Sequence, residues 1–180
     1  MKGRFLFILP LFLCCFILAD TNLAPNPSFE ETAGNLPIGW SALNTQKASV
    51  DTVTYRTGKR SLAIFRTINP DGKPILAGWE SKRVEIEPDK EYILEGWVKT
   101  NGATGATYLS LAFYEGDKFL REDISEILTG DNDWRRLYFV SLPPQNANNL
   151  CIRFISQGNS GSAYLDDVSL TYFPKKEYNI

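Results

Sequence analysis

The stretch Tyr92-Ile93-Leu94-Glu95-Gly96-Trp97-Val98-Lys99 constrains the fold more than any other part of the chain. Apolar and polar residues alternate through it with period two and β-formers dominate, which specifies a half-buried strand. Successive side chains of a strand point to opposite faces. Tyr92, Leu94, Gly96 and Val98 therefore form a core-facing row, with a glycine where an opposing sheet comes close. Ile93, Glu95, Trp97 and Lys99 form the other row. An indole between a carboxylate and an ammonium suits a sugar ring, which has an apolar C–H face and a polar rim. The alternative is that Trp97 packs beneath a loop, and the sequence leaves both readings open.

Further strand patterns recur at short intervals with turn residues between them, as in a sandwich. Residues 48–55 and 61–67 flank the turn Arg56-Thr57-Gly58-Lys59, and Asn69-Pro70-Asp71-Gly72-Lys73-Pro74 is a loop punctuated by Asp-Gly and two prolines. Residues 77–86 form a strand, 101–107 read as a polar connection, and 108–114 with 118–121 read as a hairpin. Residues 134–142, 149–156 and 162–172 complete the set. No stretch carries a sustained 3.6-residue period, and residues 125–129 offer one helical turn at most. The expectation is a single all-β domain of about eight to ten strands over residues 20–173, followed by a polar tail at 174–180.

The N-terminus reads as a secretory signal peptide over residues 1–19. Met1-Lys2-Gly3-Arg4 is basic, residues 5–18 are apolar, and Ala19 precedes polar sequence. The apolar run is shorter than the ~20 residues a membrane span needs. Lipidation is disfavoured because Leu11-Phe12-Leu13, rather than small residues, precede Cys14. The expected location is secreted, extracellular or periplasmic, with a lipoprotein or retained anchor the weaker reading. The chain carries a net charge of −2, which loss of Lys2 and Arg4 with the leader would take to −4. That balance argues against nucleic acid as a partner. Only Cys151 lies outside the leader, so an exported chain has no intramolecular disulfide, and its strand position predicts a buried free thiol. The sequence has no histidine. Ser-His-Asp and Cys-His nucleophiles and histidine-bound zinc or iron are therefore excluded.

Face assignment by alternation collects Trp79, Glu95, Trp97, Lys99, Tyr108, Ser110, Tyr114 and Arg153 as residues pointing away from the core. On one sheet, these would make a carbohydrate platform. Trp97 and Trp79 would stack, Tyr108 and Tyr114 would extend the surface, and Glu95, Lys99 and Arg153 would hydrogen-bond sugar hydroxyls. The competing reading is that outer-face aromatics pack under loops.

Two end segments carry a resemblance. Asn26-Pro27-Ser28-Phe29-Glu30-Glu31 is followed by Leu36-Pro37-Ile38-Gly39-Trp40, and Ala163-Tyr164-Leu165-Asp166-Asp167-Val168-Ser169-Leu170 stands near the other end. Between them lie Gly58-Lys59-Arg60-Ser61-Leu62, Pro88-Asp89-Lys90-Glu91-Tyr92 and Asp133-Trp134-Arg135-Arg136. In this order the motifs resemble the CenC-type carbohydrate-binding modules of families 4, 9 and 22, although Asp89 stands where the family has glycine. The resemblance spans residues 22–172. It implies a jelly-roll β-sandwich of two antiparallel sheets, galactose-binding domain-like. It also implies a structural calcium where the first and last strands meet. Glu30 and Asp166 would supply carboxylates, and the Ser28 carbonyl with carbonyls of the turn from Arg56 to Lys59 would supply the rest. The alternative for Glu30 and Asp166 is that they accept backbone N–H bonds in turns. Trp40 and Trp134 are expected to plug the ends of the core.

Catalysis is disfavoured. A glycosidase needs two carboxylates about 5–9.5 Å apart across a cleft. The adjacent pairs Glu30-Glu31 and Asp166-Asp167 face opposite ways, and no phosphate loop or nucleophile elbow is present. The leading expectation is a secreted, non-catalytic module that docks a polysaccharide or glycan, with a separate secreted carbohydrate-active enzyme as a candidate partner. The alternative is a structural or adhesion jelly roll without a glycan site.

Overall fold

The computed structural model describes residues 21–174, which form twelve strands and no helix. In chain order these are β1 (Thr32–Ala33), β2 (Leu36–Pro37), β3 (Trp40–Ala42), β4 (Ala48–Asp51), β5 (Ser61–Phe65) and β6 (Leu76–Ser81). They continue with β7 (Val84–Glu85), β8 (Lys90–Glu115), β9 (Lys118–Ile124), β10 (Leu128–Ser141), β11 (Asn149–Gln157) and β12 (Ser162–Pro174). The expected leader at 1–19 and the tail beyond Pro174 lie outside the described residues. Pro174 itself ends β12, paired with Lys90.

The expected alternation holds along the opening of β8. Tyr92, Leu94, Gly96, Val98 and Thr100 are buried, and Ile93, Glu95, Trp97 and Lys99 are half-buried. This half of β8 pairs antiparallel with β12 on one side and β10 on the other, and β12 continues to β5 and β4. The far half, from Ala106 to Glu115, pairs with β11 and β9, and β11 continues to β6 and β3. One long strand thus runs through both layers of an antiparallel jelly-roll sandwich. Leu94 and Val98 from the first half, and Leu109, Leu111 and Phe113 from the second, share a single core. The core-facing parity changes from even to odd between the halves. Gly96 marks the close approach: a Cβ there would lie 2.9 Å from Leu165 Cδ1 and 3.0 Å from Leu109 Cδ1.

The expected connection at 101–107 is therefore strand. It bends rather than breaks, with register shifts against β10 and a left-handed Gly102 (φ +60°). Buried hydroxyls and an amide hold the bend. Asn159 Nδ2 donates to Ser156 Oγ (2.6 Å) and Thr107 Oγ1 (3.0 Å), its Oδ1 accepts from the Gly105 N–H, and its own N–H donates to Thr67 Oγ1 (2.9 Å). The expected helical turn at 125–129 is absent; Leu128 begins β10. Trp40 closes one end of the core as expected, its Nε1 donating to the Pro25 carbonyl (2.8 Å) and its ring edge-on to Phe29 (5.3 Å). Among the described residues no helix is long and apolar enough to cross a membrane.

Candidate functional site

Because β8 serves both layers, it divides the expected platform between the two outer faces of the sandwich. Glu95, Trp97 and Lys99 point out from the first layer; Tyr108, Ser110 and Tyr114 point out from the second. They do not form one surface. The parity change at the bend, invisible to a fixed period of two, separates them.

On the first layer the polar groups are already matched. Arg136, opposite Trp97 on β10, pairs with Glu95, and Lys99 Nζ lies 2.6 Å from Asp133. Arg56 places its guanidinium carbon 3.8 Å from the Trp97 ring centroid and holds Asp167 at 2.6 Å. A cation thus covers an indole face that the sugar-platform reading of Trp97 needs open. Trp79 departs further from expectation. It is 0 % exposed, packs within the core and donates its Nε1–H to the Ala63 carbonyl (3.1 Å). Its strand, β6, turns Trp79 inward and Glu80 outward, the reverse of the expected assignment.

The second layer's outer face carries a connected polar array. Arg153 on β11 lies between two carboxylates. Its Nε donates to Glu80 on β6 (2.6 Å) and its Nη1 to Glu122 on β9 (3.4 Å), while its Nη2 donates to the Tyr114 hydroxyl (2.8 Å). Ser110 Oγ donates to Glu122 (2.7 Å). Burial opposes the Arg153 charge, but the hydrogen bond and charge of Glu80 outweigh it and hold its pKa above the usual arginine value. Tyr108 is half-buried on this face. Burial first, and the Glu122 charge second, raise its phenol pKa. Ala112, Tyr114 and Cys151 form a small apolar cluster here, separate from the main core. Burial, with Glu80 adding to it, pushes the Cys151 thiol up to about 11, and the thiol is free and buried as expected.

Beside this array lies an open trough of about 310 Å³, lined by Glu80, Lys82, Arg83 and Cys151 with Ser41 and Gly39 at its edge. Arg83 reaches over Tyr114, its guanidinium carbon 3.2 Å from the ring centroid. Glu80, Glu122 and Arg83 were missed by the sequence reading. The swapped parity of β6 hid Glu80. Glu122 lies just past the assigned end of the 118–121 strand.

At the rim where the segment before β1 meets β12, Glu30 and Asp166 converge on one turn. Glu30 Oε1 accepts the N–H groups of Lys59 (2.8 Å) and Arg60 (3.0 Å). Asp166 Oδ2 accepts those of Arg56 (2.7 Å) and Thr57 (3.0 Å). The turn thus offers N–H groups where its carbonyls were expected. The second oxygens keep acceptor capacity: Glu30 Oε2 faces Arg60 at 3.5 Å, and Asp166 Oδ1 takes only the Asp167 N–H (2.8 Å) among the described residues. Burial pushes the Asp166 carboxyl up to about 6. Asn26, Phe29 and Asp167, all close to this rim, have left-handed backbones. Two all-oxygen side chains with spare lone pairs fit a hard cation such as calcium. Backbone carbonyls, that of Ser28 included, would supply the remainder, because no three acidic, histidine or cysteine side chains cluster among the described residues.

No family model matches the chain. The tRNA nuclease WapA of Bacillus subtilis strain 168 is 25% identical over 165 residues, covering 84% of this chain and 7% of that protein. The tRNA3(Ser)-specific nuclease WapA of Bacillus spizizenii is 24% identical over the same length. The chain thus spans a small part of these curated relatives. Among solved structures, the CBM22-1 xylan-binding domain of Paenibacillus barcinonensis Xyn10C superposes with a TM-score of 0.62 at 18% identity, over 88% of this chain and 98% of that one. TmCBM61 in complex with β-1,4-galactotriose gives 0.59 at 16% identity, over 85% and 99%. The C-terminal family 22 module of Clostridium thermocellum Xyn10B, known for conserved amino acids in a ligand-binding cleft, gives 0.56 at 21% identity, over 84% and 96%. The fold is therefore the jelly-roll sandwich that carbohydrate-binding modules of several families share. At these identities the likeness defines the fold alone.

Proposed function

We propose that this chain is a secreted, non-catalytic carbohydrate-binding module of the CenC type that takes a polysaccharide across the outer face of its second layer. The observation that carries the reading is the Glu80–Arg153–Glu122 array with Tyr114, aligned beside an open trough. Carboxylates accept sugar hydroxyls, a guanidinium donates to them, and tyrosine rings meet the apolar face of a pyranose. The fold likeness to modules described as binding xylan and galactotriose supports a glycan as ligand. Binding at such an open site is weak, because the sugar gives up a good hydration shell. Glu80 and Glu122 are both hydrogen-bonded to the one guanidinium between them, which occupies the space a glycosidase leaves for the glycosidic bond. A separate carbohydrate-active enzyme remains the proposed companion.

The test is affinity electrophoresis in gels containing xylan or galactan. The wild type is retarded in at least one. Arg153→Ala loses the retardation at a cost of about 2 kcal/mol in stability, since two carboxylates lose a charged hydrogen-bond partner. An unretarded wild type across polysaccharides sinks the glycan reading.

One observation favours the scaffold alternative: Arg56 and Arg83 cover the Trp97 and Tyr114 rings. That reading predicts no glycan retardation in the wild type or in Arg83→Ala, each compared with its own mobility in a polysaccharide-free gel. We also propose calcium at the rim, held by Glu30 Oε2, Asp166 Oδ1 and backbone carbonyls including that of Ser28, with Arg56 and Lys59 shaping the turn. The ion would supply positive charge that ties the segment before β1 to β12. Calcium should raise the melting temperature of chelator-treated protein, and Glu30→Gln should remove the increment. A melting temperature indifferent to calcium would refute the site.

A further inference from the structure

The charges around the trough are unevenly satisfied. Glu80 and Glu122 are both paired with Arg153. Lys82 and Arg83, exposed in the turn between β6 and β7, form no salt bridge among the described residues. Both line the trough. The trough lining thus holds two cations and one carboxylate, Glu80, which Arg153 already pairs, in a chain of net charge −2. Arg83 rests over the Tyr114 ring, its guanidinium carbon 3.2 Å from the centroid, and its N–H fork pairs with no carboxylate among the described residues. That fork matches a carboxylate geometrically, with two parallel N–H···O bonds. A neutral sugar would give these cations no counter-charge.

From this arrangement we infer that the glycan bound in the trough is acidic, a polysaccharide bearing uronic acid carboxylates, and that Lys82 and Arg83 select it. The inference rests on the proposed glycan site and adds the class of sugar. The carboxylate pairs with Arg83, drawing the guanidinium off Tyr114 and baring the ring for the apolar face of the same or a neighbouring sugar. Lys82 adds a point charge at the trough wall. The cavity lies near the small end of the ~300–1,000 Å³ range of ligand clefts. It therefore takes one or two sugar units of a longer chain.

The experiment compares binding of the intact protein to polygalacturonate and glucuronoxylan with binding to the same polymers after carboxyl reduction, by isothermal titration at two salt concentrations. The expected result is at least about tenfold tighter binding to the acidic polymers, since one charge-assisted contact is worth about that factor. The preference should shrink at high salt, as screening weakens exposed charge pairs. A Lys82→Ser/Arg83→Ser variant, substituted at two exposed turn residues and checked for an unchanged melting temperature, should bind acidic and reduced polymers alike. Equal binding of acidic and reduced polymers by the wild type overturns the acidic preference while leaving the glycan site intact. A variant that keeps the wild-type preference for acidic over reduced polymers also overturns it, since Lys82 and Arg83 would then not be the selectors. No binding to any polymer overturns both the inference and the site beneath it.

Discussion

An aromatic ring serves a ligand only where one of its faces is bare or easily bared. Trp79 has none: it is enclosed in the core and tied to the Ala63 carbonyl. Trp79→Ala should cost about 3–5 kcal/mol in chemical denaturation, the range for large buried aromatics, and any loss of binding should follow loss of fold. Trp97 is covered by Arg56 on the face opposite to the trough. Trp97→Ala should leave glycan affinity within about twofold; a tenfold loss in titration would return the site to the first layer. Cys151 shows how the local environment sets chemistry. Its raised pKa, with burial as the main cause, keeps it a thiol in the folded state and predicts slow alkylation at pH 8 under native conditions and fast alkylation in denaturant. The linkage follows in sign: folding favours the protonated thiol, so this contribution to stability is complete below the unfolded pKa near 8.5–9 and is lost as pH rises towards about 11. A melting temperature flat between pH 8 and 11 in wild type and Cys151→Ala alike would count against it.

The elements explain both what the sequence disclosed and what it hid. The alternation from Tyr92 to Lys99 was legible because it is local, and it placed Leu94 and Val98 in the core and Trp97 outside without error. The end motifs were legible as a jelly roll, and Glu30 and Asp166 do meet at one turn. The continuity of β8 was not legible, because residues 101–107 are glycine, alanine, threonine and asparagine, which read as a connection when taken alone. They are strand because Ser162 and Leu128, distant in sequence, supply pairing partners, and because Asn159 closes the bend. Consequently Trp97 and Tyr114 seemed to share a face when they lie on opposite ones. Gly105 tests the bend directly. A Cβ there would lie 2.1 Å from the Gln157 carbonyl oxygen and 2.6 Å from Gly158 backbone carbon. Gly105→Ala should therefore cost about 1–3 kcal/mol, a fall of a few degrees per kcal/mol in melting temperature. An unchanged melting temperature would mean that the two backbones part freely.

At the scale of the whole molecule, two outer faces compete for a role. The first is closed upon itself, with Glu95, Lys99 and Trp97 each matched by a side chain of opposite character. The second sets a paired array beside an open trough lined by Lys82 and Arg83, which form no salt bridge among the described residues. Fold likeness alone does not choose between them, since a jelly roll has both faces wherever it occurs. The chain's small share of the nuclease WapA likewise assigns it no part in that protein's activity. The decisive measurement is amide chemical-shift mapping of the ¹⁵N-labelled protein during titration with short oligogalacturonides and xylo-oligosaccharides. The expected result is saturable shifts at Tyr108, Ser110, Tyr114, Arg153 and Arg83, with Glu95, Trp97 and Lys99 unmoved. Shifts confined to the latter three, or none at all with either ligand series, would contradict it.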